Sequence, residues 1–394
     1  MIHIHVLRVC KGRKNKGICQ SKLKISPGDS FAVVTLTGKG VFTMLVKDQN
    51  NLKICISAGI LAIFSLFLGN WEAFVENCYA PKIYPLLSEW LRTLSGIFPF
   101  NIGDWLYAGL ILIIIWKLFQ RKWVSVASWI FSILFVFQLF WGINYYRKGI
   151  AAQLKLSKAT YSGSEINALT LQLIDSANHY RELLGKGAIP EMSLEKLVAE
   201  AQKGFQNASG RFPFLSIQIK SVKRSWLTPV ADYIGFTGYY IPFTGEANLR
   251  DDLPAILNPY IICHEVAHQL GYASESEASF AGLLAAEASN NPTLKYSLYL
   301  DLLGYAFYEQ YLLSAQLPYS DFEKMVKENR SRMDTLVKQD RKEIRDFFNQ
   351  RKNAISPISN ELYDQFLKLQ QQAAGIKSYN EIIAWYINYQ KNKS

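Results

Sequence analysis

The chain has few of the residues that would make it a disulfide scaffold or a disordered tail. Its five cysteines (Cys10, Cys19, Cys55, Cys78 and Cys263) form no CxxC pair, which excludes a disulfide framework. Only 19% of the 394 residues are charged, against 49% hydrophobic and 14% aromatic, which excludes a largely disordered chain and fits a protein with a membrane part. With 24 glycines and 13 prolines there is no collagen-like or low-complexity tract. No phosphate-cradling glycine loop and no Ser-His-Asp phrase stands out. Histidine is scarce as well, at five residues, so two at a chosen spacing are informative.

The net charge of +11 is unevenly spread. Residues 1–51 hold nine Lys/Arg against Asp29 and Asp48. A uniformly basic protein would suggest nucleic acid. Here the excess lies just before the first apolar run, where the positive-inside rule places it, and no nucleic-acid partner is expected.

Three apolar runs follow within residues 52–146: Ile54 to Gly69, Ile102 to about Leu118, and Trp123 to Tyr146. Runs of sixteen to twenty-four residues reach roughly 24–36 Å as helices, against a ~30 Å hydrocarbon layer. Trp71, Trp105, Trp123, Trp141, Tyr145 and Tyr146 stand near their ends, as interfacial belts do. Three transmembrane helices are therefore expected, with the lipid bilayer as a partner. Lys117, Arg121 and Lys122 put the loop between the second and third runs on the same side as the basic N-terminus. That side reads as cytoplasmic in a multi-pass protein of the cytoplasmic (inner) membrane, with the 70–102 loop and everything after Tyr146 outside. The segment 1–51 reads as a poorly ordered basic piece, and Met44 as an alternative start.

From residue 147 the texture is that of a mainly α domain with a small β-sheet. Helices are expected over 164–185, 191–208, 258–315, 320–352 and 358–391, and strands over 214–220 and 233–249. Pro242 marks an edge strand to which a peptide could add. Tyr239, Tyr240 and Glu246, next to the helix that follows, are candidate substrate contacts. Tyr296 is a weaker candidate oxyanion donor, Cys263 reads as a buried structural thiol and His179 as an exposed helix residue.

The chemistry is concentrated in Asn258-PYIIC-His264-Glu265-VA-His268-QL-Gly271, an HExxH phrase. Such a phrase arises by chance in about three of a thousand chains of this composition. Asn258 reads as the N-cap, Pro259 as the first helical residue and Gly271 as the stop. His264 and His268 are i and i+4, so both rings can ligate one zinc ion. Glu265 is turned about 100° around the helix and can take the proton of a water at the metal. The helix is otherwise apolar and buried, and two unpaired buried histidines would cost free energy without a metal or partners. Zinc needs a third protein ligand, and Glu275 and Glu277 open the next helix, too close in sequence to serve together.

Glu275-Ser276-Glu277-Ala278 resembles the E-x-x-A phrase of zincin peptidases with a glutamate ligand. The resemblance implies Glu275 as the ligand and Glu277 behind it, accepting a histidine ring N–H. The short gap after His268 departs from most glutamate zincins and resembles metzincin spacing, where the third ligand is a histidine. Taken together, Trp141-GINYY-Arg147, Gly238-YYIPFTGEA-Asn248 and His264-EVAHQLGYASESE-Ala278 resemble a bacterial membrane-protein family, the domain of unknown function 3810, over roughly residues 50–390. That family often has Asn where Ser279 stands. The resemblance implies three membrane passes followed by a zincin-like α+β metallopeptidase domain (147–394) holding Zn2+.

The expected function is membrane-anchored, zinc-dependent hydrolysis of peptide bonds in a protein or peptide substrate. The alternatives are a non-catalytic membrane scaffold with a structural metal and a zinc amidase acting on cell-wall material. An intramembrane protease is excluded, because the short metal helix is preceded by Arg250, Asp251 and Asp252.

Overall fold

A computed structural model describes residues 33–36, 42–45, 49–156, 161–314, 318–369 and 381–392. The N-terminal segment expected to be poorly ordered lies mostly outside the described residues. Its described part is an antiparallel pair, β1 (Val33–Leu36) with β2 (Phe42–Leu45), and Met44, the alternative start, stands in β2.

The apolar runs form helices because nothing in them interrupts a helix and almost nothing in them is charged. They are α1 (Gln49–Asn70), α4 (Gly103–Phe119) and α5 (Trp123–Phe140). The expected 70–102 loop is itself helical: α2 (Glu72–Phe74), a π-helical stretch Val75–Ile83 and α3 (Tyr84–Ser95). The wider π turn contains Pro81, whose missing N–H would break a regular α-helix. The spans Asn50–Asn70 and Trp123–Phe140 are long and apolar enough to cross a membrane, and only 22% of each is buried. A core helix of a soluble protein would be mostly covered.

Helices α1 and α5 run parallel. Near their starts Ser128 Oγ donates to the Asn51 carbonyl (3.3 Å), and past their ends Gly69 rests on the Tyr146 ring. Helix α4 joins α5 through a tight turn at Gln120–Lys122 and runs the opposite way. The ends of α1 and α5 and the start of α4 thus meet the rest of the chain together.

The remainder is helical around one small sheet. After α6 (Gly149–Gln153), α7 (Gly163–Leu183) starts at a reciprocal Ser162–Glu165 capping box and α8 (Leu194–Ser209) at a Ser193 cap. Then follow β3 (Val222–Arg224), α9 (Ala231–Ile234), β4 (Gly238–Ile241), β5 (Glu246–Leu249), α10 (Asn258–Gln269) and α11 (Glu275–Ala288). The chain closes with α12 (Pro292–Ser314), α13 (Tyr319–Arg332), α14 (Thr335–Gln350), α15 (Ser356–Leu369) and α16 (Glu381–Lys391). Strand β5 is central, parallel to β3 and antiparallel to β4, with Tyr239 opposite Asn248.

Two expectations move. No strand covers 214–220: Pro213 opens a 3-10 turn, and the Gln202 side chain bonds the Ile217 carbonyl and the Ile219 N–H in place of a neighbouring strand. The N-cap of α10 is Leu257, not Asn258, which is already helical, with Pro259 next.

Close helix approach sets the core. A Cβ on Gly282 would stand 3.1 Å from the Cys263 and His264 backbone, so α11 lies directly on α10. Cys263 is fully buried there, as expected, and His179 is exposed on α7.

Glu246 is not a substrate contact. It is completely buried and accepts from Lys223 Nζ (2.5 Å), Thr244 Oγ1 (2.8 Å) and the backbone N–H groups of Ile102 (3.0 Å) and Gly103 (2.6 Å). A carboxylate at a helix N-terminus satisfies free N–H groups and complements the dipole. Lys223 also reaches the Ser95 and Phe100 carbonyls, and Asn101 Nδ2 bonds Asn248 Oδ1 (2.5 Å). The start of α4 is thereby pinned to β5.

Removing one partner of such a buried pair strands the other charge, at a cost of about 3–5 kcal/mol. Glu246→Ala is expected to lower the melting temperature of the detergent-solubilised protein by about 10 °C. Lys223→Met added to it is expected to recover part of that loss in the same melt.

Candidate metal centre

Helix α10 ends where Gly271 takes φ +89°, a left-handed conformation that glycine adopts without steric cost. Its last carbonyls are taken by side chains from the segments flanking the apolar helices. Tyr84 Oη donates to the His268 carbonyl (3.2 Å) and Ser88 Oγ to that of Gln269 (2.8 Å). Arg147 Nη1 donates to Leu270 (3.3 Å) and Gly271 (2.9 Å). A Cβ on Gly271 would collide with Tyr84, Arg147 and Asn144.

With the helix so held, His264 Nε2 and His268 Nε2 lie 3.2 Å apart. Glu275 Oε2 stands 3.1 Å from the first and 3.6 Å from the second. A tetrahedral zinc site with ~2.05 Å bonds has ligand–ligand edges of about 3.3 Å, so the triangle has the size of one face of that tetrahedron. The far nitrogens are fixed: His268 Nδ1 donates to the Tyr272 carbonyl (2.7 Å), and His264 Nδ1 pairs with Ser279 Oγ (3.0 Å). Donation from His268 Nδ1 turns its Nε2 toward the cluster, and His264 Nδ1 donating to the Ser279 hydroxyl would do the same, the arrangement a metal needs. Two ring nitrogens and a carboxylate oxygen this close repel unless a proton or a cation lies among them.

Titration follows the same logic. Burial pulls His264 down. Burial also opposes charge on His268, but the Glu275 carboxylate beside it outweighs this and lifts it to about 9. Glu275, despite its own burial, is held well below the usual carboxylate range by the two imidazoles. Without a metal, a proton on His268 lies among the three donors and balances the Glu275 carboxylate, and a cation would take its place.

Glu265 lies beside the triangle. It is 3% exposed, burial pushes it up to about 8, and its Oε2 is buried without a hydrogen-bond partner among the described residues. A Cβ on Gly238 would stand 2.5 Å from Glu265 Oε1, so only glycine on β4 leaves room for this carboxylate. The group opens on a cleft of about 680 Å³, walled by Trp141, Tyr239, Tyr240, Tyr305 and Tyr363 among others. Tyr240 packs against Trp141 in a tilted contact (centroids 4.7 Å), and His268 lies stacked beside the first ring and edge-on to the second.

The structure thus brings together His264, His268, Glu275 and Glu265, with Tyr239 and Tyr240 on the cleft wall. It does not bring Glu277 to a histidine ring. Both Nδ1 atoms have other partners, and Glu277 turns to Gly149 and accepts from the Ile150 N–H. Tyr296 donates to Asp340 (2.6 Å) and does not line the cleft. Sequence reasoning missed Ser279, although its i+4 spacing from Glu275 puts both on one face of α11. It also missed Tyr363, which donates to Glu275 Oε1 from 88 residues away with no local signal.

A family model described as "Protein of unknown function (DUF3810)" matches residues 79–387. Searches of the curated proteins and of the solved structures return no match.

The purified full chain is expected to carry about one zinc ion, held by the three converging donors. His268→Ala and Glu275→Ala should abolish it in metal analysis, whereas Glu277→Gln should retain it. Arg147→Met, which frees two carbonyls at the end of the metal helix, should weaken zinc binding about tenfold in a competition titration.

Proposed function

The chain belongs to the DUF3810 family, and we propose that it is a membrane-anchored zinc peptidase of zincin-like architecture. The observation that carries this reading is the convergence of His264 Nε2, His268 Nε2 and Glu275 Oε2 beside the unpartnered Glu265 carboxylate, on an accessible cleft. A zinc ion held by those three residues would polarise the scissile carbonyl and make the attacking water acidic near neutral pH.

The protein's own groups do the rest. Glu265 takes the proton of the water and returns it to the leaving nitrogen as the C–N bond breaks. Its burial favours that exchange by raising its affinity for a proton toward neutrality. Ser279 and the Tyr272 carbonyl keep the imidazoles oriented, and Tyr363 holds the second oxygen of Glu275. Tyr240 and Trp141 pack around His268 and keep solvent off that side.

The anchor is read as three passes, α1, α4 and α5. Their alternating directions put the ends next to the metal helix on a single face. The basic residues 1–51 and the Lys117–Lys122 turn lie on the cytoplasmic side, and the peptidase portion works outside.

Glu265→Gln is the decisive variant. It is expected to keep its zinc and to lose cleavage of a random-sequence peptide library by about 10²–10⁴-fold. Unchanged cleavage, or a wild type that cuts nothing while zinc-loaded, overturns the peptidase reading. For sidedness, an impermeant maleimide applied to intact cells is expected to label Ser331→Cys and not Gln120→Cys in a background without other cysteines.

A further inference from the structure

Part of the cleft wall is made by the apolar helices themselves. Tyr107 of α4, Phe137 of α5, and Trp141 and Tyr145 just beyond α5 all line it. The fit is close: Tyr239 on β4 donates to both Asp104 carboxylate oxygens at 2.9 Å, and Tyr107 meets Phe243 edge-on at 5.7 Å. Trp141, the residue that ends α5, has its ring 5.8 Å from that of His268. Tyr107 lies four residues inside α4 and Phe137 three residues before the end of α5, which places them about 5–6 Å down those helices. Farther along α4, Ile111, Leu112 and Phe119 are exposed apolar side chains.

The metal cluster is therefore level with the ends of the apolar helices, and the cleft floor drops below that level. If those helices cross a bilayer, the cleft opens at the headgroup boundary. Facing it is β4, which pairs only with β5 among the described residues and whose residues 238–240 line the cleft. An edge strand takes an extended polypeptide through main-chain hydrogen bonds, and lipid has no such complement.

We infer that the substrate is a membrane-tethered polypeptide, cut within a few residues of the point where its chain leaves the bilayer. This rests on the peptidase reading above and narrows it. Water adds to the carbonyl carbon, the C–N bond breaks, and one product stays attached to the membrane while the other is released.

The test uses the full zinc-loaded chain in lipid vesicles. Random-sequence peptides are offered free, or joined to a dipalmitoyl anchor through Gly/Ser spacers of about two or about thirty residues. Cleavage is followed by mass spectrometry. The short-spacer peptides are expected to be cut at least about tenfold faster than the long-spacer ones. Both are equally concentrated at the membrane, so only the depth of the site separates them. Equal or faster cleavage of the long-spacer or free peptides overturns the inference and leaves the peptidase reading standing. Cleavage of no peptide in any form overturns both. A second measurement needs no turnover: Glu265→Gln protein carrying a photo-crosslinking benzoylphenylalanine in place of Tyr107 is expected to capture short-spacer peptides on irradiation. Capture of lipid alone overturns the inference.

Discussion

The site depends on how the C-terminal end of the metal helix is satisfied. A helix that stops in the protein interior leaves carbonyls without partners, and burying them unbonded is costly. At the end of α10 the Gly271 N–H reaches the His268 carbonyl, and Tyr84, Ser88 and Arg147 bond that carbonyl and those of Gln269, Leu270 and Gly271. Each of the three comes from a segment that abuts an apolar helix. The bonds that end the helix are thus also the bonds that seat it on the layer beside the apolar helices. One of those carbonyls belongs to His268 itself, so the histidine pair and the apolar helices share one rigid frame.

A second fixed point works from the opposite side. Glu246 joins the middle strand to the start of α4, with Lys223 bridging to the carbonyls of Ser95 and Phe100. The two devices use opposite helix poles. A carboxylate sits at the start of α4, where N–H groups are free, and hydroxyl and guanidinium donors sit at the end of α10, where carbonyls are free. Between them the aromatic wall of Trp141 and Tyr240 is held against His268.

What the sequence discloses is the part fixed by local spacing. The i, i+4 relation of His264 and His268 puts two rings on one face, and the glycine at 271 ends that helix. The three apolar runs are legible because they lack charge. The choice between Glu275 and Glu277 was open from spacing alone. The close approach at Gly282 and the i+4 partner Ser279 are what direct the first toward the histidines. Glu246 reads as a substrate contact in sequence because the helix start it caps, at Ile102 and Gly103, lies over 140 residues upstream, and nothing nearby in the chain signals a buried helix-capping carboxylate. The 70–102 segment was misread as a loop because its charges and Pro81 mask a continuous helix, one that tolerates proline through a π turn. The 214–220 segment carries strand-like residues, yet a glutamine from α8 meets its backbone groups first.

The separation of the partners along the chain also orders how the centre is made. Tyr84 waits 184 residues for the His268 carbonyl, and Glu275 receives its tyrosine only 88 residues later, from α15. Contacts this distant form late, after local helices and after the N-terminal part has emerged. The apolar helices and the donors of α3 thus precede the histidine pair along the chain, and α15 reaches the acid from after it. A chain that stopped before α15 would hold the imidazoles without the tyrosine that fixes the second oxygen of Glu275.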